Sequence, residues 1–464
     1  MDADDGWTTP ILRRELYRHA EIVVGLANRV AQLTDYPTEA PKRVCELVSK
    51  LARVVQDHLP QAPDDQLRHL SVMLCGWTEH LRYVERARTS DTPWSIVLAV
   101  ERFFRTIVGG NASFIVRPQW SYNYQIHELI SPLRQNMGAL RWIPESIYDD
   151  QLFDESVFVL SFPRVERLNV TIHANWGHEV GHVIARRWID TRLIAFWQPI
   201  EEELITEVQT ELGIPEDGEL APSMSLRVAE RVKQGFRLFE KGLLELIADA
   251  VGVHLLGPAA LLAAGEYAVR HALDVSPLAG RFYPPWRYRL RHMQGQCRDD
   301  LEQVRRSFSS DPIFASFIKY CEGLETLLKS AVDTDTLKSD NLTRVCYDAI
   351  DRNWDNIRDE ALALIRVIAP VQYRLSDRLA ALRAIVSRLE EHVPPNDIGS
   401  FESPETARFE DLLNGGWLEK LRLPTSPSGE LEGAETLYRL LLKGIESAFL
   451  QTTYGSRLLD IEET

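Results

Sequence analysis

Residues 178–182 of this 464-residue chain read His178-Glu179-Val180-Gly181-His182, and this stretch determines how the fold is interpreted. On a helix with 3.6 residues per turn, side chains four positions apart lie on one face. Both imidazoles would then reach one metal ion, with Glu179 at the open side of that ion. Gly181 lies on the same stripe and would let a second element approach closely. The pattern predicts a metal-binding helix with a carboxylate placed to accept a proton.

A second segment offers a third metal ligand, because a catalytic zinc site has three protein ligands and one open position. Residues 243–256 are apolar nearly all round, which predicts a buried helix that ends at Gly257-Pro258. Glu245 and Asp249 lie four apart on it, and a buried carboxylate is costly unless a metal or an ion pair compensates it. We expect Glu245 to be the third ligand and Asp249 to accept a hydrogen bond from a ligating histidine.

Two other carboxylates compete for the third position. Glu201 and Glu202 follow His182 at a distance that suits a shorter, thermolysin-like spacing. Neither has an aspartate four residues later, and an acidic triplet is typical of a solvated helix face. The sequence therefore favours Glu245 and implies a long insertion between the two helices.

The two segments together resemble the glutamate-zincin metallopeptidases, the group that includes thermolysin. The Glu-x-x-Ala-Asp form of residues 245–249 is closest to the endopeptidases related to the prenyl-protein and heat-shock membrane proteases. The resemblance covers roughly residues 157–292. It implies Zn²⁺ as cofactor, a zincin-like catalytic core with a small β-sheet, and a protein or peptide substrate that is cleaved internally rather than from an end.

Those peptidases also carry a His-Pro-Pro segment followed by an arginine. Here Tyr283-Pro284-Pro285 stands at the corresponding place, with Tyr283 where the histidine would be. The resemblance implies that Tyr283 or Arg287 stabilises the oxyanion of the transition state. His271 and His292 remain alternative donors, since folding could bring either one into the cleft.

The composition excludes several classes of function. A net charge of -16 argues against nucleic acid as the main partner, because phosphate binding depends on Lys and Arg. Five scattered cysteines without a Cys-x-x-Cys pair indicate free thiols in a reducing compartment. The acidic N-terminus has no apolar signal region, and no stretch approaches the roughly 18 apolar residues of a membrane span. We expect a soluble, cytoplasmic protein, unlike the membrane-embedded relatives.

The arrangement of helical and strand patterns predicts an α+β, mostly α fold in three regions. Residues 1–109 contain four helical patterns and are expected to form an N-terminal helical bundle. Residues 110–306 would hold the zincin-like metallopeptidase core, with strands at 112–117, 120–124 and 157–162. Residues 307–464 would form a C-terminal helical region.

The expected function is zinc-dependent peptide-bond hydrolysis by an intracellular metalloprotease, with Glu179 as general base. The large helical flanks suggest latency, relieved when a regulatory protein partner opens the cleft. The alternative is a zinc-containing regulatory or sensor protein that acts by binding a partner. Retention of Glu179 weighs against this alternative, because a structural zinc site needs ligands and no base.

Overall fold

The structure is a computed structural model, and it describes residues 8–138, 142, 151–214, 222–274, 282–329, 341–399, 405–424 and 427–462. The chain forms two compact units, Met1–Leu168 and Asn169–Thr464. Most described residues are helical and one small sheet is present, so the α+β, mostly α fold is confirmed. The zincin-like form of the core stays a prediction.

The first unit begins with helices whose apolar residues recur at helical spacing: α1 (Thr8–Ala31), α2 (Ala40–His58), α3 (Leu67–Glu85) and α4 (Trp94–Val108). The apolar faces of α1, α2 and α3 meet in one hydrophobic core around Val23, Leu51 and Leu74. A shorter helix, α5 (Ile130–Gly138), follows the second strand. The first four of these helices occupy residues 1–109, the region predicted to be an N-terminal bundle.

The sheet belongs to the first unit and consists of β1 (Ala112–Gln119), β2 (Gln125–Glu128) and β3 (Ser156–Pro163). β3 lies in the centre, parallel to β1 and antiparallel to β2. Ile115, Val157 and Val159 contribute one sheet face to the core of the helices. The sheet is therefore stabilised by the N-terminal helices.

The strands predicted at 112–117 and 157–162 are confirmed, whereas the strand predicted at 120–124 is wrong. Residues 120–122 form a bend, residues 123–124 have no regular structure, and Trp120 is 73% exposed. The reason is topological, since β1 and β2 pair with opposite edges of β3 and the chain must cross from one edge to the other. The aromatic residues of this segment favoured a strand, but the crossing between the two edges requires irregular backbone.

The second unit is built from helices: α6 (Trp176–Glu211), α7 (Pro222–Leu256), α8 (Pro258–Ala268), α9 (Trp286–Phe308), α10 (Pro312–Lys329), α11 (Asn341–Arg366), α12 (Leu379–Glu390), α13 (Phe409–Lys420) and α14 (Pro427–Glu462). Among the residues that the structure describes, no helix has the length and apolarity needed to cross a membrane.

Helices α6 and α7 form a long antiparallel pair. Gly181 lies against Ala248 near one end of the pair, and Leu204 lies against Gly235 further along. α7 ends where predicted, because Gly257 adopts φ +58° and Pro258 begins α8. Such a left-handed φ favours glycine, so the residue type fixes this helix end.

The two-unit division differs from the three predicted regions, 1–109, 110–306 and 307–464. β1 packs on α2, α3 and α4, which joins the sheet to the N-terminal helices. α11 packs on both α6 and α7, and Trp188 Nε1 donates to Glu360 Oε2 at 3.3 Å. The contacts thus place the first part of the predicted core in the first unit, and join the C-terminal helices to α6 and α7.

Candidate metal centre

The first turns of α6 carry the His-Glu-x-x-His motif. A 3₁₀ turn at Thr171–Asn175 leads into the helix, and the fully buried Trp176 anchors its start. The His178 and His182 rings lie 4.5 Å apart between centroids. Ligand atoms of His178, Glu179 and His182 all lie within 4.8 Å of one another, so these three residues could hold a metal ion.

Close helix packing brings α7 to this face. A Cβ atom at Gly181 would lie 2.5 Å from the Ala248 carbonyl oxygen, and one at Gly252 would lie 3.1 Å from the His178 backbone nitrogen. The first distance is too short for a real Cβ atom and the second is tight, so glycine at position 181 is required for this approach and glycine at position 252 favours it. The backbones therefore come close enough for side chains on α7 to reach the two histidines.

Glu245 and Asp249 contact different atoms of the histidines. Glu245 Oε2 lies 3.4 Å from His178 Nε2, and Glu245 Oε1 lies 3.7 Å from His182 Nε2. Asp249 Oδ1 lies 2.8 Å from His178 Nδ1. Because an ionised carboxylate only accepts, Nδ1 of His178 donates, and Nε2 is the nitrogen directed at Glu245. Asp249 thus occupies the orienting place expected for it.

Arg289 on α9 completes the group. Its Nη1 lies 2.8 Å from Glu245 Oε2, while Nε and Nη2 each donate to Asp249 at 2.8 Å. The guanidinium carbon lies 4.1 Å from the centre of the Trp286 ring, a cation–π contact. We call His178, Glu179, His182, Glu245, Asp249 and Arg289 the α6–α7 cluster.

Arg287, which the sequence offered beside Tyr283 as an oxyanion donor, is not the arginine of α9 that contacts the cluster. Arg287 donates hydrogen bonds to Asp274 at 2.5 Å and to the carbonyl oxygen of Leu327. Its guanidinium therefore binds α10 and the segment that follows α8. Arg289 is the arginine that reaches the carboxylates. Helix periodicity indicates that only one of the two arginines can face the cluster, since their positions differ by about 200°, but it does not indicate which one.

The charges of the α6–α7 cluster shift one another's pKa values. Burial alone would lower the pKa of His178, but the Asp249 carboxylate outweighs it and raises this pKa to about 10. Burial and the neighbouring His178 lower the pKa of His182 to about 3. Burial would raise the pKa values of Glu245 and Asp249, yet Arg289 and the histidines hold both below their usual range.

The side chains present fit a zinc ion. Two imidazole nitrogens and one carboxylate are the donor set of a catalytic zinc site. Glu179, Glu245 and Asp249 are all more than nine-tenths buried, and the positive charges beside them are the Arg289 guanidinium and the His178 imidazolium that its raised pKa favours, so the cluster is short of one positive charge. A divalent cation would balance it. One part of the fit is incomplete, since Nδ1 of His182 has no hydrogen-bond partner among the described residues.

Two tyrosines lie within electrostatic range of the cluster. Tyr283 is half-buried, and burial together with the Glu245 charge raises the pKa of its phenol. Sequence reasoning did not single out Tyr267. Burial and the Glu179 charge raise the pKa of Tyr267 to about 12, and its ring packs 5.4 Å from that of Trp286. Both phenols therefore keep their protons at neutral pH and can donate hydrogen bonds.

The remaining candidate histidines have other partners. His173 stacks on Trp176 at 4.3 Å, and His254 Nε2 donates to the Ala369 carbonyl at 2.8 Å. His292 lies 3.3 Å from Asp351. His271 packs against Tyr267 and Trp286, with centroid distances of 5.3 Å and 6.4 Å.

Glu201 and Glu202 do not approach the cluster. Both lie further along α6, which continues through the acidic stretch. Nineteen residues separate His182 from Glu201, which corresponds to about 28 Å at 1.5 Å per residue. Both residues therefore lie about five helical turns beyond His182, which removes them as ligands beside it.

Comparison with known protein families, with curated proteins and with solved structures finds no match for this chain.

Proposed function

We propose that this protein is a zinc-dependent peptidase whose metal ligands are His178, His182 and Glu245. One observation carries the proposal: Nε2 of both histidines lies within 3.4–3.7 Å of the Glu245 carboxylate, and Glu179 lies beside both histidines. Structural ion-pair networks also contain buried carboxylates. Such a network does not need two imidazole nitrogens that face the same carboxylate, Glu245, with a second carboxylate, Glu179, beside them.

The other members of the cluster support this arrangement. Asp249 and Arg289 fix the orientation of His178 and Glu245 through bonds of 2.8 Å. Orienting partners of this kind are part of a working metal site, and their loss commonly lowers metal affinity 10- to 100-fold. When bound, zinc would act as a Lewis acid on a water molecule and on the scissile carbonyl.

The chain's own residues supply the proton transfers. Glu179 takes a proton from the attacking water as the new C–O bond forms, and passes it to the leaving nitrogen as the C–N bond breaks. Its place beside both histidines is the place that a general base requires. Tyr283 donates a hydrogen bond to the oxyanion. Its raised pKa keeps the phenol in the donating form.

Metal content and peptide hydrolysis by matched variants test the proposal. The purified wild type should bind one zinc ion and cleave peptides, measured by elemental analysis and by mass spectrometry of a peptide mixture. Glu245→Gln should lose zinc. Glu179→Gln should keep zinc and lose about 10²- to 10⁴-fold in turnover, the range for removal of a general base.

Glu202→Gln is the control, because it makes the same change at an exposed position of the same helix. It should keep both zinc and turnover. A wild type that binds no zinc, or a Glu179→Gln variant with full turnover, would contradict the proposed function.

A further inference from the structure

The two oxygens of the Glu245 carboxylate have different surroundings. Oε2 lies 2.8 Å from Arg289 Nη1 and 3.4 Å from His178 Nε2. Oε1 is the oxygen directed at His182, whose Nε2 lies 3.7 Å away. The guanidinium thus engages one oxygen of the candidate ligand and leaves the other facing the second histidine.

Arg289 is held in this position from several sides. Its Nε and Nη2 bind both oxygens of Asp249 at 2.8 Å, a two-point contact that fixes the plane of the guanidinium. The Trp286 ring covers one face at 4.1 Å. Arg289 is only 4% exposed, so no bulk water competes for its N–H groups. These contacts make Nη1 a fixed donor to Glu245 Oε2.

We infer that Arg289 is a positioning residue that restricts Glu245 to metal binding through Oε1 alone, and thereby makes the site favour Zn²⁺ over Mn²⁺. The inference rests on the proposed function. With one carboxylate oxygen and two imidazole nitrogens as protein donors, the site offers the three ligands of a tetrahedral catalytic zinc. Mn²⁺ prefers six ligands rich in oxygen, which a carboxylate binding through both oxygens would serve better.

Metal affinities of variants at position 289 test the inference without measuring turnover. Zn²⁺ and Mn²⁺ dissociation constants would be measured by competition with a chromophoric chelator for the wild type, Arg289→Lys and Arg289→Gln. Both variants should bind zinc 10- to 100-fold more weakly, as expected when an orienting partner is lost. Mn²⁺ should lose less, because Oε2 becomes available to it. The preference for zinc should fall by about 10-fold.

Arg378→Lys is the matched control. Arg378 also donates two hydrogen bonds to a buried carboxylate, from Nε to Asp411 Oδ1 at 3.1 Å and from Nη2 to Asp411 Oδ2 at 2.6 Å. Arg378→Lys removes a comparable arginine–carboxylate contact away from the cluster. It should leave the affinities for Zn²⁺ and Mn²⁺ unchanged. A similar fall in zinc preference in Arg378→Lys would overturn the inference, because the effect would then follow from lost stability.

The outcomes separate this inference from the proposed function. If the wild type binds no zinc, or Glu245→Gln binds it equally well, the proposed metal site is wrong. If zinc binding depends on Glu245 but the zinc preference is unchanged in the Arg289 variants, only the role of Arg289 is overturned. Should those variants fail to fold, the wild type loaded with Co²⁺ decides. The strong visible absorption of a four-coordinate ion supports the inference, and the weak bands of an octahedral ion overturn it.

Discussion

At the scale of single residues, two carboxylates one turn apart on α7 have different tasks. Glu245 and Asp249 both contact Arg289 and His178, yet Glu245 faces the Nε2 atoms and Asp249 faces Nδ1. The difference follows from position along the helix, since Asp249 lies one turn after Glu245, beside the Nδ1 edge of the His178 ring. In the proposed metal site, two carboxylates of one helix would thus provide a ligand and the partner that orients another ligand.

The hydroxyl of Tyr283 gives a prediction at this scale. Tyr283→Phe should lower turnover about 10²- to 10³-fold, as for loss of one oxyanion donor, with little change in the free energy of unfolding. Peptide hydrolysis and denaturant unfolding would measure the two effects. Tyr267→Phe is the comparison, and its turnover should fall less than about 10-fold. A larger loss in Tyr267→Phe would assign the donor role to Tyr267. A loss of about 1 kcal/mol in stability alone would indicate packing.

Sequence reasoning succeeded where the information is local. His178 and His182 share a face because of helix periodicity, and the apolar run around Glu245 and Asp249 predicts a buried helix. The role of Arg289 depends on how α9 packs against α7, which no local pattern encodes. Tyr267 was missed for the same reason, since its approach to Glu179 exists only in the folded chain.

At the scale of elements, the contact between α6 and α7 sets the geometry of the cluster. Gly181→Ala should push the helices apart, because the new Cβ would lie 2.5 Å from the backbone oxygen of Ala248. We expect a loss of about 1–3 kcal/mol in the free energy of unfolding, typical of overpacking, together with weaker zinc binding. Thermal unfolding and metal titration would measure both.

Gly295→Ala is the control for that substitution. Gly295 lies on α9 with no atom within 4 Å of the added Cβ, so helix propensity should stabilise this variant by about 0.5–1 kcal/mol. If Gly181→Ala behaves like Gly295→Ala, the close approach of the two helices is contradicted.

The end of α7 gives a pH-dependent prediction. Burial lowers the pKa of His254, so the unfolded chain binds a proton more readily than the folded chain does. Neutral His254 therefore stabilises the fold fully above the unfolded pKa of about 6.5, and this contribution is lost as pH falls from there towards the lower folded pKa. His254→Gln can still donate to Ala369. The stability difference between wild type and variant should shrink between pH 7.5 and 5.5 in denaturant titrations, and an equal difference at both pH values would contradict the prediction.

At the scale of the whole molecule, every residue of the α6–α7 cluster belongs to the unit formed by Asn169–Thr464. The sequence predicted the strands β1 and β3 as elements, but it placed them in the catalytic region. Strand pairing and the packing of β1 on α2 and α3 are long-range properties, so alternating apolar residues predict a strand without predicting its neighbours.

Zinc should therefore protect the second unit selectively. At free zinc 100 times the dissociation constant, the ligand-bearing unit gains about 2.7 kcal/mol. Hydrogen exchange followed by mass spectrometry should slow in α6, α7 and α9 and stay unchanged in α1, α2 and α3. Equal protection of both units would show that metal binding is coupled across the chain, against this prediction.

The length of α6 and α7 has a mechanical consequence for the cluster. α6 runs 30 residues from Gly181 to Glu211, about 45 Å, whereas both histidines lie within about 6 Å of the Gly181–Ala248 contact. If the helices tilt about this contact by about 5°, the far end moves about 4 Å and the ligands only about 0.5 Å. For the same tilt, the far helix ends thus move about eight times as far as the ligands. Because Leu204 also lies against Gly235 further along the pair, such a tilt would break that second contact before it displaced the ligands appreciably.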